Sequence, residues 1–111
     1  MNEAQSFTFS LVNSLKISEV KKTFSKGEFI LREGEIERNL YFVESGAVRI
    51  FLLSEDEEQS IRFGFEGSII NSLASYFSES PSAFYIEAIR KTTLRVISKE
   101  TVSSLANGNF D

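Results

Sequence analysis

Five glycines, Gly27, Gly34, Gly46, Gly64 and Gly67, cut the middle of the chain into short runs of Phe, Ile, Val, Leu and Tyr. Apolar runs separated by turn residues roughly every 8–12 positions are the pattern of antiparallel strands in a sandwich or barrel. The pattern predicts strands over residues 29–31, 40–43, 47–53 and 60–65. In "AVRIFLLS" Val48, Ile50 and Leu52 share one face, and in "SIRFGF" Ile61, Phe63 and Phe65 do the same, because successive strand side chains alternate. Between these two runs lies "SEDEEQ", residues 54–59. Four adjacent carboxylates without alternate spacing or a glycine do not make a calcium loop, so the segment reads as a solvated hairpin tip.

The flanks read differently. From residue 6 to 18, Phe7, Leu11 and Leu15 recur every fourth position with Val12 beside them, which predicts an amphipathic helix packed on the domain's own strands. Residues 69–77 read as a second short helix with Ile69 or Ile70, Leu73 and Phe77 on one side. Pro81 closes the serine-rich loop after it, since proline donates no amide and forces its predecessor toward extended geometry. "AFYIEAI" and "TLRVIS" follow as strands. Ser98 then caps a helix over about 99–106, with Glu100 in its first turn, Val102 and Leu105 on its apolar side, and Asn107-Gly108 as a stop signal.

Composition removes several functions. The chain has 111 residues, the size of one domain, and its 41% hydrophobic content with eleven phenylalanines is ample for a core. It has no cysteine and no histidine. That excludes disulfides, thiolate or imidazole metal ligands and Ser-His-Asp or Cys-His catalysis. No run approaches the ~20 apolar residues of a membrane span, and the N-terminus lacks a basic region followed by a long apolar stretch, so the chain reads as soluble and cytoplasmic, with no membrane partner. A cupin-like enzyme on a similar barrel is the rival from another class, but such sites rest on clustered histidines at a metal.

Lys26-Gly27-Glu28 followed by Phe29 and Ile30, then Arg32-Glu33-Gly34-Glu35, then Leu40-Tyr41-Phe42-Val43 and Ser45-Gly46, resembles the opening pattern of the cyclic-nucleotide-binding domains of bacterial catabolite-activator/Fnr (Crp/Fnr) regulators. The resemblance extends through Gly67 and returns at Pro81, Ala83 and Ala88, covering about residues 20–105. It implies a mainly β antiparallel β-roll (jelly roll) over about 24–98 with short flanking α-helices, and a non-enzymatic sensor with no cofactor and a small-molecule effector. In full-length members a long dimerising helix and a winged helix-turn-helix follow. The 111 residues are therefore expected to be the sensor piece of a longer regulator, forming a weak homodimer or none; a free-standing sensor is the alternative.

The same resemblance places the ligand cassette at Gly67, Ser68, Ile69, Ile70, Asn71, Ser72 and Leu73, with Ser82 and Ala83 beyond the loop. In relatives a Gly-Glu-Leu run supplies a glutamate to the sugar hydroxyl, and a later arginine pairs with the cyclic phosphate. The matching positions here are Asn71-Ser72-Leu73 and Pro81-Ser82-Ala83, so glutamate has become Ser72 and arginine Ser82. No lysine or arginine lies between Gly67 and Ala83, whereas amides near residues 67–70 and the hydroxyls of Ser68, Ser72 and Ser82 remain as candidate donors. Two readings stay open: a sensor with a changed ligand, or a ligand-free structural or dimerisation module. They divide on whether the space under residues 69–73 is an open cleft or is filled by Phe65, Phe77, Phe84 and Tyr85, aromatics for which core packing is the default reading.

The formal net charge is −4 and no basic cluster exceeds the pairs Lys21-Lys22 and Arg90-Lys91. Nucleic-acid binding rests on cations that neutralise phosphates, so the chain alone is expected not to bind DNA. Micromolar protein should leave a duplex probe unretarded at physiological salt, and a retarded band would overturn this reading.

Overall fold

The short apolar runs do form strands. The computed structural model describes residues 20–106; the helix expected at 6–18, the Leu105 side chain and the Asn107-Gly108 stop signal lie outside what it describes. The elements are β1 (Lys21–Phe24), β2 (Phe29–Leu31), β3 (Asn39–Ser45), β4 (Ala47–Ser54), β5 (Glu57–Phe65), β6 (Ile69–Ile70), α1 (Leu73–Ser78), β7 (Tyr85–Ala88), β8 (Thr92–Ser98) and α2 (Lys99–Ala106). Two four-stranded antiparallel sheets, β1-β8-β3-β6 and β2-β7-β4-β5, make a mainly β roll. The core between them takes Leu31, Val48, Ile50 and Ile86 from one sheet and Tyr41, Val43, Ile70, Leu94 and Val96 from the other.

The corner between β3 and β4 requires glycine. Gly46 has φ 98°, and a Cβ there would lie 2.5 Å from the Lys91 carbonyl oxygen and 2.6 Å from Thr92 Cα. No L side chain fits that backbone or that space. The acidic segment is a hairpin tip as expected: Ser54 pairs with Glu57, and Glu55 and Asp56 carry φ 53° and 65°, as a two-residue primed turn requires. Strand β5 starts at Glu57 rather than residue 60, so part of the charged run belongs to the ladder.

Three expectations need correction. Strand β1 begins ahead of the expected start of the roll at residue 24; its first three residues are exposed and its place comes from pairing with β8, which composition does not reveal. Ile69 and Ile70 are not helical but form β6, paired with Phe42 and Tyr41. Extended backbone sends the two neighbours to opposite faces, so Ile70 enters the core while Ile69 joins Leu40, Phe42, Ile97 and Val102 on the other side of that sheet. The helix begins only at Leu73, and its buried residues are Ser75 and Tyr76, not Leu73 and Phe77.

The third correction concerns β5. Ile50 lies opposite Arg62 but Phe51 opposite Ser60, so Ile61 is the extra residue of a bulge. Opposed residues share a face. Arg62 and Gly64 therefore lie on the inner side with Ile50 and Val48, whereas Phe63 and Phe65 lie outside, 47% and 53% exposed. Gly64 sets this phase: a Cβ there would lie 2.8 Å from Ile70 Cγ2 and 3.1 Å from Val48 Cγ2.

Overpacking at such a contact costs about 1–3 kcal/mol. Gly64→Val should lower stability by that amount in urea unfolding, while Phe63→Ser on the outer face should change it by about 0.5 kcal/mol or less. The reverse order of costs would place the apolar residues of β5 inside.

Candidate functional site

Beneath the cassette lies an open cleft of about 480 Å³, lined by Ile50 of β4, Ile61 and Arg62 of β5, residues 71–74, Phe77 of α1 and Phe84. Its apolar rim is what the fold leaves uncovered. Ile61, Leu73 and Phe77 are 57%, 59% and 70% exposed, and all three converge here. Phe77 and Phe84 stand on the wall without filling the space. Phe65 is outside on β5, and Tyr85 belongs to a different cluster, its ring 5.1 Å from Phe51 and 5.5 Å from Phe29.

The nine residues expected at the site divide. Asn71, Ser72 and Leu73 line the cleft. Gly67, Ser68, Ile69 and Ile70 frame it: the Gly67 amide donates to the Val43 carbonyl (2.8 Å), the Ser68 amide to Phe65 (2.8 Å), and Ile69 and Ile70 pair with β3. The amides of Gly67 and Ser68 are thus committed to backbone carbonyls, and the helix N-terminus lies further on, at Leu73. Ser68 Oγ accepts from the Phe65 amide (3.1 Å). Ala83 is exposed and does not contribute to the cleft wall.

Ser72 and Ser82, which the resemblance was expected to set at a glutamate and an arginine, are brought together. Both are buried and their hydroxyls lie 2.8 Å apart. Ser82 Oγ also accepts from the Phe84 amide (3.0 Å) and lies 2.9 Å from the Phe84 carbonyl oxygen. The loop carrying Ser82 is held by a reciprocal backbone pair, Gly34 N to the Ser82 carbonyl (2.8 Å) and Ser82 N to the Glu35 carbonyl (2.7 Å).

Behind Ser72 sits a carboxylate that sequence reasoning missed. Glu37 is buried, and its carboxylate accepts from the amides of Asn39 (3.1 Å) and Ser72 (3.3 Å) and from the Tyr41 hydroxyl (3.2 Å). Its own amide donates to Ser75 Oγ (2.9 Å). Glu37 therefore ties the corner before β3 to the first turn of α1. Burial holds its carboxyl above the ordinary carboxylate range, against the pull of these hydrogen bonds, and pushes the Tyr41 hydroxyl above its usual range as well. Glu79, at the C-terminal end of α1, is exposed, lies 3.3 Å from Lys99 Nζ, and is not in the cleft wall.

Arg62 was also missed. It is the single cation of the lining, and its Nη2 donates to the Ile69 carbonyl (3.1 Å), bridging β5 to β6. The available signal was Gly64: a glycine inside a strand pattern marks a bulge or a close approach, and taking it as the inward residue puts Arg62, two positions back, on the same side.

Residues 21–109 match the family model described as "Cyclic nucleotide-binding domain". The chain belongs to that family. It is similar to the nitrogen fixation regulation protein FixK of Rhizobium meliloti (strain 1021), with 32% identity over 81 residues, 72% of this chain and 36% of that protein. The chain thus spans little more than a third of the curated relative it matches. Its fold matches the sensor domain of the transcriptional regulator DNR from Pseudomonas aeruginosa, with TM-score 0.79, 18% identity, and 96% of this chain on 75% of that one. It also matches the Thermus thermophilus catabolite activator protein, with TM-score 0.76, 19% identity, and 95% of this chain on 47% of that one. Within the family, the domain is of the catabolite-activator/Fnr type.

Removing the Glu37 carboxylate leaves two buried donors, the Tyr41 hydroxyl and the Ser72 amide, and the part-buried Asn39 amide without an acceptor, each buried one costing about 1–3 kcal/mol. Glu37→Ala should therefore lose about 3 kcal/mol or more in urea unfolding. A carboxyl whose pKa is raised on folding stabilises below its unfolded value, ordinarily 4.5, and that contribution is lost as pH rises through the folded value. The stability of the wild type relative to Glu37→Gln should fall as pH rises above about 4.5; a rise would mean that the hydrogen bonds outweigh burial.

Proposed function

We propose that this is the non-enzymatic effector-sensing domain of a catabolite-activator/Fnr-type transcription regulator, and that its effector is not cyclic AMP held by the usual anchors. The observation that carries the reading is the mutual hydrogen bond of Ser72 and Ser82, 2.8 Å between buried hydroxyls, at the two positions where relatives present a glutamate and an arginine. Charge-assisted contacts contribute about 1.5–3 kcal/mol each against ~1 for a neutral bond. Losing both anchors costs on the order of a hundredfold or more in affinity, since each 1.4 kcal/mol is tenfold. The site residues are then Asn71, Ser72 and Leu73 on the wall, with Gly67, Ser68, Ile69, Ile70, Ser82 and Ala83 shaping the loops around it.

The open cleft favours a changed ligand over a ligand-free structural module, because its apolar rim is exposed where a degenerate site would be packed shut. The effector on this reading is a mainly apolar small molecule, and the domain acts by coupling its binding to DNA-binding and dimerising segments in a longer regulator. Chemistry is not its role: the chain has no histidine or cysteine, and the cleft lining has no carboxylate.

Titration calorimetry with cyclic AMP and cyclic GMP tests the first half of the proposal. No heat is expected from either nucleotide up to about 100 μM, given the loss of two anchors. Micromolar or tighter binding of either one would refute it.

A further inference from the structure

Taking the cleft as the effector site, we infer that its ligand carries one anionic group, a carboxylate or sulfonate on an apolar and mainly aromatic body, and that Arg62 is the residue that selects for it. Three observations converge. The wall is apolar on several sides, with Ile50, Ile61, Leu73, Phe77 and Phe84, so the body of the ligand is hydrocarbon or aromatic. Arg62 is the one cation in that wall and no carboxylate stands beside it there. The polar groups that would recognise a ribose or a cyclic phosphate are engaged already, Ser72 and Ser82 with each other and the Ser72 amide with Glu37.

Arg62 differs from the two arginines that ion pairs hold, Arg49 on β4 and Arg95 on β8 of the other sheet. Arg49 lies 2.7 Å from Glu87 and 2.9 Å from Glu58, and Arg95 lies 2.6 Å from Glu44. Arg62 instead donates to the neutral Ile69 carbonyl, and among the described residues no carboxylate lies within ion-pair distance of it. That bond fixes the direction of the side chain while using one of the five donors of a guanidinium, whose planar fork suits a carboxylate or sulfonate. The bulge at Ile61 is what turns it inward, opposite Ile50 and away from Phe63 and Phe65. An apolar cleft with a single oriented guanidinium discriminates against neutral analogues, which leave the cation without a partner, and against polyanions, which find no second cation in the wall.

A matched pair of fluorescent probes tests this. 1-Anilinonaphthalene-8-sulfonate and N-phenyl-1-naphthylamine share their rings and differ by the sulfonate. The wild-type chain should bind the sulfonate about tenfold more tightly than the neutral probe, the ratio expected for one charge-assisted contact. Arg62→Gln should bring the ratio close to one while moving the neutral probe less than about twofold, and Arg62→Lys should restore part of it. Phe77→Ser, at an exposed position, should weaken both probes together. Binding of both with a ratio that Arg62→Gln leaves unchanged would overturn the role of Arg62 and leave the cleft standing. Failure of either probe to bind, or binding that Phe77→Ser does not touch, would overturn the cleft reading and this inference with it.

Discussion

Ile70 occupies the space that any side chain at position 64 would need, and the phase of β5 follows from that contact. Strand phase has two options, because side chains alternate with a period of two. With glycine at 64 the sheets approach closely enough for Ile70 and Val48 to meet over it, so Arg62 is inward, Phe63 and Phe65 are outward, and a bulge at Ile61 takes up the offset. The cleft is a product of that choice: it exists where β5 presents Ile61 and Arg62, rather than a phenylalanine, toward α1.

The outer face of the same sheet solves the converse problem. Phe51 lies outside the core cluster yet is buried, because Phe29 and Tyr85 pack on it and the Arg49 guanidinium carbon lies 4.1 Å from its ring centroid. Arg49 is held by Glu87 beside it and Glu58 on β5, so part of the acidic hairpin works as a clamp on an aromatic layer. An ion pair this close to the surface contributes modestly; its effect here is to keep a cation over a ring.

Beneath the cassette, buried polarity is closed on itself. A buried hydroxyl or amide without a partner costs more than the bond it would make contributes, so Ser72, Ser82 and the Ser72 amide each need one. The chain supplies these internally, with a serine pair and a glutamate from the corner before β3. On the proposed reading, a site built this way has little polar capacity left for a ligand, and its selectivity passes to the apolar rim and to Arg62. Only the hydroxyl of Tyr76, among the buried side-chain groups of this region, has no partner among the described residues.

Much was legible in the chain itself. Short glycine-spaced runs marked the antiparallel strands of a sandwich or barrel, which the family resemblance narrowed to a β-roll; "SEDEEQ" marked its hairpin tip, and Ser98 a helix start, where its hydroxyl does accept from the Thr101 amide at 3.3 Å. These are local signals: turn chemistry and capping depend on a few consecutive residues. The tertiary structure alone decided that Ile69 and Ile70 are a strand, because what fixes them is β3, some thirty positions earlier in the chain. It alone decided that Phe63 and Phe65 of β5 face outward and that Arg62 faces the cleft, because alternation fixes which residues share a face but not which face meets the core. It alone placed Glu37 behind Ser72, since a single glutamate in a polar corner carries no mark of the helix end it will meet. Local order was written in the sequence; long-range contact chose between the faces that order left open.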